Sequence, residues 1–364
     1  MRSLWRVLYG TCLIVLVLCG DPTRMFAQSS VTGPFDVFVN HNISKNQAGL
    51  FFVDSRTGLS NVVVTNGTRH TLLGNGVLYL ENDTKAIKIA YPNGRTDPFP
   101  AIEVNNAKAQ VDWVVSPNGK QIAWTVSLAG EQSLLSDLFV AGADGSAKKL
   151  VLHTSSTKGV DTIPLAVTDD GTQVFYARQT RDPQAYQLFA TASDVFSVDI
   201  ASGQPTELPG KTECLCALGF AANGHPFVRL QPAGDSGGFD ALILDPSIKL
   251  ETQISAPQLT HRQAGNLLMS RDGGTIIYTS ARGVPPAKGV PPEQYAVIVA
   301  DVSRREQHVV VAPQKINLRP IAFEHGNTVA ILVNADGDGT YKLSLKDGNL
   351  LPVSAYTFLG TISN

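Results

Sequence analysis

The chain is poor in charge. Asp, Glu, Lys and Arg make up 16% of its 364 residues, against 43% hydrophobic residues. That balance excludes a disordered tail, because there is ample apolar surface to bury. No run of Lys and Arg is present and the formal net charge is -2, so no nucleic-acid surface is expected. Helical periodicity is almost absent after Gln28. No H-E-x-x-H zinc motif, C-x-x-C pair or glycine-rich phosphate loop opening a helix occurs. Cysteine is scarce, with four in all, and Cys12 and Cys19 fall in the N-terminal apolar segment. The remaining pair, Cys214 and Cys216, is no disulfide framework. On a strand the two would share a face at the upper limit of bridging distance, so a disulfide would be strained. Two buried thiols are expected, with redox or metal work as the alternative.

Much else is present. Arg2 and Arg6 precede an apolar stretch from Leu8 to Cys19, and Phe26-Ala27-Gln28 offers a small-residue cleavage zone. This reads as a secretory signal over 1–27, too short for an ordinary transmembrane span. An uncut anchor and a lipoprotein signal on Cys19 are the alternatives, although Leu18 suits lipidation poorly. The chain from 28 to 364 is then one exported domain, periplasmic or extracellular, and a monomer.

That domain is a repeat. Apolar strand, glycine turn, apolar strand, variable loop, aromatic-rich strand, second turn and last strand recur in order. VDWVVSPNGKQIAWTVS with DLFVAGADGSAKKLVL is the clearest copy. The first turns fall at Asn118-Gly119, Asp170-Gly171, Asn223-Gly224, Asp272-Gly273 and His325-Gly326. Their spacing is about 50 residues, as propeller blades require. Asn-Gly and Asp-Gly suit two-residue hairpins in which both central residues take positive φ. A weaker copy begins at RHTLLGNGVLYLEN. The first unit, FDVFVN with GLFFVDSRTGLSNVVV, lacks an innermost strand. YTFLGTIS, from Tyr356 to Ser363, is placed to supply it and close the ring. The expectation is an all-β, seven-bladed propeller of four-stranded antiparallel blades. Six blades, or a β-helix or sandwich, are the alternatives.

The line Ser116-Pro117-Asn118-Gly119-Lys120-Gln121-Ile122-Ala123-Trp124 resembles the WD40-like repeat of TolB-type propellers, typically S-P-D-G-K-x-I-A-F. SRDGGTIIY from Ser270 and TDDGTQVFY from Thr168 match more loosely. The resemblance covers nearly all of 28–364. It implies a periplasmic or extracellular scaffold, or the propeller half of a peptidase.

Gly234-Asp235-Ser236-Gly237-Gly238 resembles the nucleophile motif of trypsin-like proteases. A nucleophilic serine needs a base and an orienting acid. No T-A-A-H-C-like segment surrounds any of the seven histidines. The repeat places Ser236 in the loop between the second and third strands of a blade, where glycines need only loop geometry.

Loops between second and third strands share one face with the links between blades, and binding residues usually sit on such loops. The long loop from Gln179 to Ser193 carries Arg181, Asp182 and Tyr186, and the loop from Arg282 to Gln294 carries GVPPAKGVPP. Starts of inner strands bring Asp112, Asp161, His261, Asn266 and Arg319 toward the same mouth of the channel. Asn334, Asp336 and Asp338 resemble the start of a D-x-D-x-D-G calcium loop, with Asn in place of the first Asp. Calcium is therefore a candidate cofactor, and a polar turn is the other reading. The functional expectation is a non-enzymatic exported propeller that binds a protein, peptide or glycan on this face. The alternative is a propeller enzyme of lactonase, lyase or glycosidase type, with Asp112, Asp161 and Glu213 near the channel.

Overall fold

Each repeat folds as its residues dictate, with alternating apolar positions forming strands and glycine-bearing turns reversing them. A computed structural model describes residues 33–362 except 45, 105, 107, 181–185, 210–216, 235–236 and 291. These residues form seven four-stranded antiparallel sheets arranged as a ring of blades. Blade 1 holds β1 (Phe35–Ser44), β2 (Gln47–Asp54) and β3 (Ser60–Thr65). Blades 2 to 6 begin with innermost strands β4 (Gly67–Leu73), β8 (Gln110–Val115), β12 (Val160–Val167), β16 (Ala217–Phe220) and β20 (Gln263–Met269). Blade 7 runs from β24 (Leu318–Glu324) to β27 (Leu350–Ser354), and β28 (Thr357–Ile362) pairs with β1 as the innermost strand of blade 1. The seven-bladed reading holds, and the six-bladed one is excluded. Among the described residues no helix is long and apolar enough to cross a membrane. Residues 1–27, where the secretory signal was expected, and both remaining cysteines lie outside the described residues.

The first turns differ from the two-residue hairpins expected. Gly119, Gly171, Gly224 and Gly273 take φ of 71°, 68°, 84° and 74°, while the Asn or Asp before each does not take positive φ. Side-chain bonding supports this longer turn in three of the four, and the Gly224 turn, which begins at Ala221, is held by the backbone bond from Gly224 N to Ala221 O. Ser116 Oγ donates to Asn118 Oδ1 at 2.7 Å and accepts from Gln121 N at 3.0 Å. Thr168 repeats this with Asp170 and Gln173, at 2.6 and 3.1 Å, and Ser270 with Asp272 and Thr275, at 2.6 and 2.9 Å. The Ser/Thr-x-Asx-Gly line is thus a hydrogen-bonded unit. His325 and Gly326 alone among these pairs both take positive φ.

The core lies between blades. Leu73, Leu78 and Ile89 of blade 2 meet Trp113, Ile122 and Trp124 of blade 3 in one buried cluster. Val228 and Ile243 of blade 5 meet Ile276 and Tyr278 of blade 6 in another. Each fully buried aliphatic or aromatic side chain contributes about 1.5–3 kcal/mol. Innermost strands are also irregular. Register shifts fall at Thr68/Thr71, Pro164/Ala166, Gly265/Leu268 and Pro320/Ala322, with Arg69 and Asn266 at φ of 59° and 49°. Such bulges turn side chains out of the sheet, here beside the channel.

Candidate functional site at the loop-face mouth of the channel

The two faces of the ring differ. On the turn face, hairpins bond to their neighbours. Gly74 N donates to Gly119 O at 2.9 Å, and Asn118 N to Asp169 Oδ1 at 2.7 Å. Asp169 N donates to Ala222 O, and Arg271 of blade 6 reaches Asp169 of blade 4 at 2.7 Å. Asp169 thereby ties blades 3, 4, 5 and 6 together, and its polar groups are consumed in doing so.

The loop face carries a polar chain across blades 6, 7, 1 and 2. Asn266 Nδ2 donates to Asn317 Oδ1 at 3.1 Å, and Asn317 Nδ2 to Asp336 Oδ1 at 3.3 Å. Two residues on, Asp338 accepts from His41 Nδ1 at 2.6 Å, His41 N at 3.2 Å and Thr357 Oγ1 at 3.1 Å. The His41 ring lies 5.9 Å from that of His70, which stacks on Tyr79 and bonds Thr65 Oγ1 through Nε2 at 3.0 Å. Burial, with a smaller repulsion from His41, pushes His70 down to about 4, so it is neutral at ordinary pH. Its Nδ1 is buried without a partner among the described residues. An acceptor on Nδ1 places the proton of His41 there and leaves Nε2 facing outward. The His41 side chain is 46% exposed.

The residues singled out from sequence fall into three groups. Asp161 and His261 are internal, 2% and 5% exposed. Asp161 accepts from Ser127 and Ser136 at 2.5 and 3.1 Å, binding blade 4 to blade 3. His261 Nδ1 bonds Ser280 Oγ at 2.8 Å, and burial lowers its pKa. Asp112 and Arg319 open to the mouth. Asp112 pairs with Arg69 at 3.0 Å, whose guanidinium also lies 4.0 Å over the Trp113 ring. These groups line a cleft of about 300 Å³ with Lys85 and Leu80. Asn266 joins the polar chain, as described. Tyr186 belongs to a strap. Its carbonyl accepts from Gln263 Nε2 at 2.9 Å, and Gln263 Oε1 accepts from Leu188 N at 2.8 Å. The long loop of blade 4 therefore passes blade 5 and is gripped by blade 6. Phe189 presses on Gly265, where a Cβ would lie 2.2 Å from its own Cβ, and meets Tyr295 edge to face at 6.4 Å. Arg181, Asp182 and Glu213 lie outside the described residues, as do Asp235 and Ser236. Gly237 and Gly238, at φ of 76° and 81°, pack on the link at Pro257 and Thr260, as loop glycines would.

Each oxygen-bearing side chain of the calcium-like loop has a protein partner. Asn334 Oδ1 accepts from Asp336 N at 3.2 Å, and the two carboxylates are held by Asn317, His41 and Thr357. Among the described residues no three His, Cys, Asp or Glu side chains gather as a metal site would require.

Sequence reasoning missed His41, His70 and Arg69. No local signal marks them, because His41 and Asp338 are 297 residues apart in the chain.

The wider comparisons match this architecture. No family model matches the chain, and no curated protein does. Among solved structures it is similar to an oligogalacturonate lyase in complex with manganese, at 12% identity over 89% of this chain and 90% of that one, TM-score 0.53. It is also similar to the periplasmic gluconolactonase PpgL of Pseudomonas aeruginosa, at 15% identity over 91% and 98%, TM-score 0.50. TolB from Acinetobacter baumannii is another match, at 11% identity over 87% and 78%, TM-score 0.47. These likenesses concern the fold, which scaffolds and enzymes share. The chain is a seven-bladed β-propeller whose solved structural neighbours include TolB.

Proposed function

We propose that the protein is exported and binds a protein, peptide or glycan at the loop-face mouth of its channel. The inequality of the two faces carries this reading. On the turn face Asp169 and the hairpins are spent on inter-blade bonds. On the loop face, among the described residues, Arg319 and Nε2 of His41 have no hydrogen bond or ion pair. The basic and apolar leader supports export.

A second reading, a propeller enzyme, is favoured by one observation. Asp338 holds His41 as an orienting carboxylate holds a general base. A thermal-shift panel of cell-wall glycans, short peptides and divalent metals tests the first reading, because a ligand that binds only the folded state raises Tm. A calcium-specific shift lost in Asp336→Ala and Asp338→Ala would add a cation site at that loop. Turnover of a sugar lactone or an oligogalacturonide, abolished in His41→Asn, would replace the scaffold reading with the enzymatic one. Binding without turnover supports the scaffold.

A further inference from the structure

Arg319 is a cation at the loop-face end of an innermost strand. It lies on β24, the innermost strand of blade 7. The outer edge of β24 is covered by β25 (Val329–Asn334), and its faces are flanked by β20 and β28. Its neighbours Leu318 and Pro320 are buried, whereas Arg319 is exposed. Arg319 is the second residue of β24 and pairs with Val333, so it lies at the loop-face end of the innermost strand. Arg69, on the same face, has a carboxylate at 3.0 Å. Arg319 has no hydrogen bond or ion pair among the described residues.

The innermost strands carry part-buried aliphatic side chains, several of which pack on the cores between blades. Leu72, Leu165, Leu218, Leu267, Ile321 and Leu359 are part-buried on six different innermost strands. They crowd the interior, and a Cβ on Gly219 would lie 1.8 Å from Leu267 and one on Gly360 2.6 Å from Leu72. Surrounding protein strips water from the guanidinium and lowers its pKa, yet it remains charged at any ordinary pH. A cation left accessible but poorly hydrated, without a counter-charge, is an incomplete ion pair.

We infer that Arg319 is the anchor of a carboxylate-binding site in the loop-face end of the channel. A carboxylate fits better than a phosphate. The planar fork accepts a planar carboxylate through two parallel bonds, and one positive charge balances one negative charge. A phosphate dianion would leave excess charge against the aliphatic wall. The inference deepens the binding reading by naming the group recognised. An acidic sugar and a peptide C-terminus share that group.

The test measures affinity by calorimetry and Tm on the purified protein with paired probes. These are glucuronate against its methyl ester, a short peptide with free against amidated C-terminus, and inorganic phosphate. The carboxylate member of at least one pair should bind and its neutral partner should not. Arg319→Gln should weaken that binding roughly tenfold or more. Arg319→Leu should melt at or above the parent temperature, because it removes a poorly hydrated and unpaired charge. Which pair responds assigns the source. A carboxylate probe that binds equally well to Arg319→Gln overturns the site, as does failure of both pairs or a preference for phosphate. A marked fall in Tm for Arg319→Leu overturns it too, since Arg319 would then be a structural residue. A neutral ligand found on the loop face, indifferent to Arg319, would leave the broader binding reading standing while removing this one.

Discussion

At the scale of single residues, the sharpest consequence concerns His70. The unfolded chain takes up its proton near the ordinary 6.5, but the folded chain resists until about 4. The neutral native form therefore gives full stability above pH 6.5, and stability falls as pH drops from 6.5 to about 4. The fall reaches on the order of 3 kcal/mol at the foot of that window. Urea unfolding from pH 7 to 4 should show the slope, and His70→Gln should flatten it. His261 is shifted in the same direction by burial and adds to the same trend. The turn hydroxyls make a second residue-scale prediction. Ser270→Ala removes the bonds to Asp272 and Thr275 N and should cost about 1–2 kcal/mol in denaturant unfolding, with Ser270→Thr restoring most of it. The carboxyl of Asp272 is held below its usual range first by that hydroxyl. The stability it adds is present above the unfolded pKa near 3.8 and is lost as pH falls through the folded value.

At the scale of elements, ring closure is decisive. β28 pairs with β1 and flanks β4 and β24, so ending the chain after Tyr356 removes the innermost strand of blade 1. The truncated protein should lose its single cooperative melt and bind apolar dyes, read by calorimetry and fluorescence. An intact melt would show that the ring does not depend on its closing strand. The strap makes a milder prediction. Phe189 is 5% exposed between Gly265 and Tyr295. Phe189→Ala should cost about 3 kcal/mol and open the adjoining loop to limited proteolysis.

At the scale of the whole molecule, the two faces should respond differently to substitution. Arg271 is 74% exposed, so its single pair with Asp169 contributes little, and Arg271→Ala should move stability by less than about 1 kcal/mol. Ligand affinity should not change in that variant, whereas it should change with substitutions at the loop face. Calorimetry with any ligand found there measures both.

The blades and their closure were legible in the sequence because both are local or strictly periodic. Alternating apolar residues specify strands, and Ser270-x-Asp272-Gly273 carries its own hydrogen bonds. The missing inner strand of the first unit was visible as a gap in the period. The turn conformation was not legible, because the repeat pattern does not show that the Ser or Thr hydroxyl bonds across the turn. Candidate residues fared unevenly for a related reason. Position on an inner strand brought Asp161 and Arg319 to the channel wall alike, but whether each faces a neighbouring blade or open space depends on packing. Asp161 met two serines of the neighbouring blade, whereas Arg319 has no side-chain hydrogen bond or ion pair among the described residues. The Asp338–His41 pair joins the last blade to the first, and no sequence spacing encodes it. Sequence by itself determined the strands and the order of the repeat, since these follow from short-range pattern, while the structure chose seven blades over six. Only the tertiary structure decided which charges are paired, because pairing depends on residues of different blades that the ring brings together, in the case of His41 and Asp338 from opposite ends of the chain.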